Sequence, residues 1–144
     1  MLRRATNQDA KTLGKLAVKM WPGHTVDGLT EEFKHLVGKK DAAVFVCAER
    51  AQVVGFAQCQ LRHDYVEGTE SSPVGYLEGI FIEEEYRNRG YAKMLLAACE
   101  RWAGEQGCSE FASDCELGNL QSLNFHLTCG FSEANRIICF TKKL

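Results

Sequence analysis

The stretch "YLEGIFIEEEYRNRGYAKMLL", from Tyr76 to Leu96, sets a carboxylate, Glu78, inside an apolar run that reads as a strand. It then passes through a charged turn into a helical pattern. With side chains alternating along a strand, Glu78, Ile80 and Ile82 share one face while Leu77, Gly79 and Phe81 share the other. A carboxylate on a central strand is costly to bury unless it is paired or used. Glu78 is therefore either bonded to a neighbouring strand or an Arg, or it belongs to a site. In the turn, "EEEYRNRGYA", backbone N–H groups at the start of a helix are unpaired and sit at the positive end of its dipole, which suits phosphate oxygens. Arg87 and Arg89 add positive charge there. The pattern is neither G-x-x-x-x-G-K-[ST] nor G-x-G-x-x-G, because only Gly90 is present and no Lys-Ser or Lys-Thr follows. Nucleoside triphosphate and dinucleotide readings lose their main support.

Outward from this stretch the elements alternate. "LRRAT" reads as a short first strand, and Thr6 is placed to cap a helix with Leu13, Leu16, Ala17 and Met20 at helical spacing. "WPGH" ends that helix at Pro22 and Gly23. Thr30, Glu31 and Glu32 predict a second helix start, with Phe33, Leu36 and Val37 on one side and Gly38 at its end. "AAVFVCAER" and "QVVGFAQCQLRH" read as a hairpin turning near Glu49 to Gln52, and "DYVEGTESSP" as a loop. "VGYLEGIFI" is the next strand. "GYAKMLLAACERWAGEQG" is a helix with Tyr91, Leu95, Ala98 and Trp102 on one stripe, closed by Gly107. "SEFASD" predicts a strand, "LQSLNFHLTC" a helix closed by Gly130, and "RIICFTKKL" a final strand. The sum is a mixed α/β domain.

The chain has 144 residues, 45% hydrophobic and 25% charged, which is ordinary for one globular domain spanning 1–144. Seventeen Lys and Arg against nineteen Asp and Glu leave a formal charge of -2, so no global field argues for nucleic acid or an anionic membrane as partner. No run is long enough to span a bilayer. Met1 is followed by Arg3 and Arg4 rather than by the apolar core of a signal peptide, and a cytoplasmic address is the expectation. The seven cysteines contain no C-x-x-C pair and no His at zinc-like spacing, so no metal is expected. Most read as small buried hydrophobes in a reducing compartment, with a catalytic thiol as the lesser alternative.

The strand before "YRNRGYA", the amphipathic helix after it, the polar "ELGN" junction and the closing "GF" together resemble the GCN5-related N-acetyltransferase superfamily across essentially the whole chain. The resemblance implies a central, mostly antiparallel twisted sheet of about six to seven strands flanked by about four helices. It implies acetyl-CoA as co-substrate. In that family the turn matching Arg87, Asn88, Arg89, Gly90, Tyr91 and Ala92 holds the pyrophosphate, the strand matching Ile80, Phe81 and Ile82 pairs with the pantetheine arm, and Asn119 matches an Asn that contacts the cofactor.

"WPGH", "LRHDYVEGTESSPV", "LEGIF", "EFASD" and "GF" narrow the resemblance to the short aminoglycoside 6'-N-acetyltransferases. In that branch Trp21, His24, Tyr65, Glu78 and Asp114 correspond to positions lining the aminoglycoside site. Asn135 matches a further substrate contact that is acidic in some relatives and uncharged here. The branch also implies a homodimer with exchange near the C-terminus. An aminoglycoside is a polycation rich in hydroxyls, and carboxylates with aromatic surfaces suit it. Glu78 is the candidate for orienting the amine and accepting its proton, by direct transfer in a ternary complex. His126 stands where many relatives carry a Tyr, and is either a proton donor to the departing thiolate or a packed helix residue. Taken singly, Trp21 could be a helix-end hydrophobe, His24 and Tyr65 surface residues, and Asp114 a cap. An acetyltransferase of another small amine, and a non-catalytic acyl-CoA sensor, are the competing functions.

Overall fold

The computed structural model describes all 144 residues. Five strands form one sheet in sequence order: β1 (Leu2–Arg4), β2 (Ala42–Glu49), β3 (Gln52–Arg62), β4 (Val74–Ile82) and β5 (Phe111–Ser113). The first four pair antiparallel, and β5 runs parallel to β4. Helices α1 (Ala10–Met20) and α2 (Val26–Val37) cover one face, while α3 (Tyr91–Glu105) covers the other and α4 (Leu120–Thr128) follows β5. The mixed class and the antiparallel sheet match the sequence reading.

Each face has its own core. Leu13, Ala17, Leu29 and Phe33 of α1 and α2 meet Val44, Val46 and Phe56, with Phe33 and Phe56 edge to face at 5.5 Å. Leu95, Cys99 and Trp102 of α3 meet Cys47, Cys59, Leu77 and Ile82 on the opposite side. Gly14 lets α1 and α2 approach closely, since a Cβ there would lie 2.5 Å from Thr30 Oγ1. At the N-terminus Arg3 holds Asp9 through two bonds of 2.8 and 2.9 Å, and Asp9 accepts from the Thr6 N–H at 2.7 Å. Thr6 thus joins a capping box around the short helical turn Asn7–Asp9 that leads into α1.

Three expectations are corrected. Helix α2 starts at Val26, one turn before Thr30, because Thr25 caps it by accepting from the Gly28 N–H at 3.0 Å. Thr30 instead bonds back to the Val26 carbonyl at 2.7 Å. The strand expected over "RIICFTKKL" is absent: residues 131–144 have no regular structure, and Ile137, Ile138 and Phe140 are 67%, 81% and 87% exposed. They pair with no strand and their apolar side chains enter no core, so the sheet has five strands rather than six or seven. The third correction concerns the face of Glu78. Gln58 pairs with Gly79 and Cys59 with Leu77, so β4 carries one residue more than β3 and Glu78 is the bulge. Beyond it the alternation is reset, and Ile80 and Ile82 join Leu77 in the α3-side core instead of sharing a face with Glu78.

Candidate active site

Pairing of β5 with β4 covers only Gly75 to Leu77. β5 ends at Ser113, and beyond this fork point β4 continues to Ile82 bonded only to β3. Its other edge from Glu78 onward is bare of strand, a row of main-chain donors and acceptors of the kind an extended amide chain can pair with. Exposure follows the same boundary: Val74 to Leu77 are buried, and Glu78, Gly79, Ile80 and Phe81 are partly open.

Where β4 ends, the chain turns through Glu84–Tyr86 and reaches α3 by two left-handed residues, Asn88 at φ 61° and Gly90 at φ 83°. Gly90 stands at the N-cap with no side-chain cap, and the space its missing Cβ would fill is open. The first-turn N–H groups of Tyr91, Ala92 and Lys93 thus lack helical acceptors and have room for an anion. Arg87 donates from Nε to the Ile82 carbonyl at 2.9 Å, bracing the turn, and has no carboxylate partner. Arg89 differs: it bonds the Glu49 carboxylate at 3.1 and 3.2 Å, and Tyr91 Oη donates to the same carboxylate at 2.8 Å. The hydrogen bond to Glu49 pushes the Tyr91 hydroxyl above its ordinary pKa, and that same bond, with Arg89 nearby, holds Glu49 below the usual carboxylate range. Arg89 and Tyr91 therefore anchor the turn to the β2–β3 hairpin, leaving Arg87 as its uncommitted charge. Asn119 caps α4 by accepting from the Ser122 N–H at 3.1 Å. Its side-chain amide N–H groups are not used by that bond.

On the other side of the fork lie the acidic residues. Glu78 receives Arg62 Nε at 3.0 Å on one oxygen and Arg62 Nη2 at 3.0 Å on the other. The guanidinium lies 3.4 Å from the centre of the Tyr76 ring, and Tyr76 Oη donates to Asp114. Burial first, then the bond to Asp114, raises the Tyr76 hydroxyl far above its ordinary value, so it stays a donor. The Glu78 carboxylate is paired but not sealed, with 19% of its side chain accessible. Trp21 packs over Gly79, next in the chain, where a Cβ would come within 2.9 Å of the indole. Of the two alternatives open for Glu78, pairing with an Arg is present, and the pairing leaves the carboxylate accessible.

The remaining expected residues are less tightly assembled. Tyr65 is 78% exposed on the loop between β3 and β4, and His24 is exposed in the turn after α1. That loop is fastened by Glu110, which accepts from the Glu70 and Ser71 N–H groups at 2.9 and 2.8 Å. Asn135 donates to Glu67 of the same loop at 3.0 Å. His126 is tightly held: Nδ1 lies 2.7 Å from the Ser122 carbonyl, Nε2 lies 2.8 Å from Ser113 Oγ, and Phe125 and Phe131 flank the ring. A carbonyl can only accept, so Nδ1 carries a proton and the ring is fixed in place between Ser122 and Ser113. This favours the packed reading of His126. Of the cysteines, Cys47, Cys59 and Cys99 are buried, and burial pushes the Cys47 thiol up to about 11, which suits a core hydrophobe and not a nucleophile. No group of His, Cys, Asp and Glu side chains converges in a way that could hold a metal ion.

Sequence reasoning missed Arg62, Tyr76 and Glu49. Tyr76 stands two residues before Glu78, and Arg62 closes the strand that pairs with β4, which is the one signal that could have joined them.

This chain belongs to the acetyltransferase (GNAT) family, whose model matches residues 10–131. Within that family it is 40% identical over 144 residues to an aminoglycoside N(6')-acetyltransferase type 1 of Stenotrophomonas maltophilia, covering 99% of this chain and 93% of that one. It is also 40% identical over 128 residues to the enzyme of that name from Salmonella typhimurium, covering 89% and 88%. The solved structure of AAC(6')-Iy with the bisubstrate analog CoA-S-monomethyl-acetylneamine superposes with a TM-score of 0.95 at 36% identity, covering 100% of this chain and 98% of that one.

Proposed function

We propose that this protein transfers the acetyl group of acetyl-CoA to the 6'-amino group of aminoglycosides and so confers resistance to them, acting in the cytoplasm as one domain over residues 1–144. The observation that carries the reading is the β4 edge left unpaired past Leu77, with Glu78 at its start and Asp114 next to the residue paired with Leu77. Support also comes from relatives named for this reaction at 40% identity over nearly the whole chain.

In this reading the pantetheine arm pairs with the β4 edge over Ile80 to Ile82, and the pyrophosphate lies on the N–H groups that follow Gly90, with Arg87 beside them. Trp21, His24, Tyr65, Asp114 and Asn135 surround the sugar rings. The 6'-ammonium gives a proton to Glu78, directly or through water, and its nitrogen attacks the thioester carbon. An amide N–H between Gly79 and Ile82 steadies the oxyanion. The C–S bond then breaks, the nitrogen gives its second proton to solvent as the amide forms, and the thiolate takes a proton from solvent, with the His126 ring held between Ser122 and Ser113. No acyl-enzyme forms.

The protein acts as a homodimer in this reading, with the apolar C-terminal segment of each copy laid against the partner. Bare Ile137, Ile138 and Phe140, and an α4 with no fully buried residue, support it.

A thiol-release assay with acetyl-CoA against kanamycin, tobramycin, spermidine and a peptide panel tests the substrate. Turnover is expected with the two aminoglycosides. Turnover of spermidine or the peptides alone would overturn the assignment.

A further inference from the structure

We infer that Arg62 is a positioning residue that ties the two substrate-facing carboxylates into one rigid unit, through a chain of contacts running Glu78, Arg62, Tyr76, Asp114. The inference rests on the functional reading above and deepens it.

Glu78 sits on a bulge, where the ladder does not fix it as it fixes its neighbours. A short acidic side chain there would sample several rotamers. The Arg62 fork removes that freedom by meeting both carboxylate oxygens at 3.0 Å, a geometry available to a planar guanidinium and not to an ammonium. Arg62 is itself pinned, its plane lying 3.4 Å from the centre of the Tyr76 ring. Tyr76 is fully packed beside Val66 and Val74, and its hydroxyl ends on Asp114, one residue past the end of β5. Three strands thus contribute to one strut across the mouth of the fork.

The strut leaves acceptor capacity for substrate. A carboxylate has about four lone-pair sites, and Arg62 uses two of those on Glu78. Each acid presents its remaining lone pairs from a fixed place. Two amines of a rigid aminoglycoside can then be matched at once, and the reacting amine is held at one distance from the thioester. A flexible or singly charged amine gains nothing from the fixed spacing. Arg62 therefore determines specificity for rigid polyamines without touching them.

The test compares Arg62→Lys, Arg62→Met and Tyr76→Phe with the unmodified protein. Steady-state kinetics with tobramycin and with spermidine are read alongside tobramycin binding by calorimetry without acetyl-CoA, and thermal melting. Arg62→Met is expected to lower kcat/KM for tobramycin about 10- to 100-fold, with kcat falling more than KM rises and KM for acetyl-CoA within about twofold. Spermidine should change far less. Arg62→Lys should recover little, because it restores charge but not the fork. Tyr76→Phe should keep the stacking and lose only the Asp114 link, giving a smaller loss. The inference is overturned if Arg62→Met leaves tobramycin kinetics within twofold, or if tobramycin binds it more tightly, which would make Arg62 a competing cation. It is overturned too if tobramycin and spermidine fall in step with the melting temperature. Absence of both tobramycin turnover and binding in the unmodified protein would remove the functional reading and this one together. A normal parent beside an unaffected Arg62→Met removes this one alone.

Discussion

At Glu78 a backbone irregularity and an ion pair meet, and their combination explains how an acidic residue is tolerated within an apolar strand. The bulge turns the side chain off the α3-side core, and Arg62 compensates the charge that partial burial would otherwise penalise. Replacing Glu78 by Gln keeps the shape and removes the charge. Turnover of aminoglycoside should fall about 100- to 1,000-fold, as expected for loss of a proton acceptor, while KM for acetyl-CoA stays within about twofold because the turn proposed to hold the cofactor lies beyond Ile82. Steady-state kinetics with both substrates varied would check this, and unchanged turnover would remove Glu78 from the chemistry. At this scale the sequence was legible wherever a residue is out of character with its neighbours: Glu78 in "YLEGIFI", and Gly90 between a charged turn and a helix. Arg62 was illegible because nothing near it is unusual. It becomes meaningful only once the pairing of β3 with β4 carries it across Tyr76. The ion pair of Arg89 was illegible for a related reason, since its partner Glu49 lies on a hairpin distant in the chain.

Among the elements, the joint between β1 and α1 carries a measurable pH dependence. Asp9 is buried, and the Arg3 hydrogen bonds foremost, with help from Thr6, hold its carboxyl down at about 2. A depressed carboxylate stabilises the fold above its unfolded value of about 3.9, and that stabilisation is lost as pH falls from there toward 2. The difference is worth about 2 kcal/mol. Asp9→Asn should therefore unfold more easily at neutral pH by about that amount, and the gap between variant and parent should close as pH drops from about 4 to 2. Denaturant melts across that range test it, and parallel curves would contradict it. Element identity was readable for α1 and α3, which each bury one stripe, and for β2 and β3, which are apolar runs buried on both faces. The start of α2 was not, since Thr30 with Glu31 and Glu32 looks a stronger N-terminus than Thr25 does, and the choice was made by Thr25 reaching the Gly28 N–H. The bulge was illegible in principle, because it is a property of the register between two strands.

For the whole molecule, the segment expected as a last strand is the instructive failure. "RIICFTKKL" has strand-like residues, yet in a single chain it lies outside the sheet with Ile137, Ile138 and Phe140 bare. The sheet ends at β5, whose outer edge is unpaired, and the adjoining α4 leaves Leu120 and Leu127 exposed. Apolar surface without a cover is what the proposed homodimer would bury. The apolar pattern of the segment was legible in the sequence, but the strand read from it does not form. Size-exclusion chromatography with light scattering should give the mass of two chains for the parent. Replacing both Ile138 and Phe140 by Lys, which places two charges where apolar contact is needed, should give the mass of one. Because Asn135 belongs to the same segment and bonds Glu67 of the loop bearing Tyr65, the monomeric variant should also show a raised KM for aminoglycoside, with KM for acetyl-CoA unchanged. A parent that runs as a single chain at every concentration, or a variant that stays paired, would assign those side chains to some other contact.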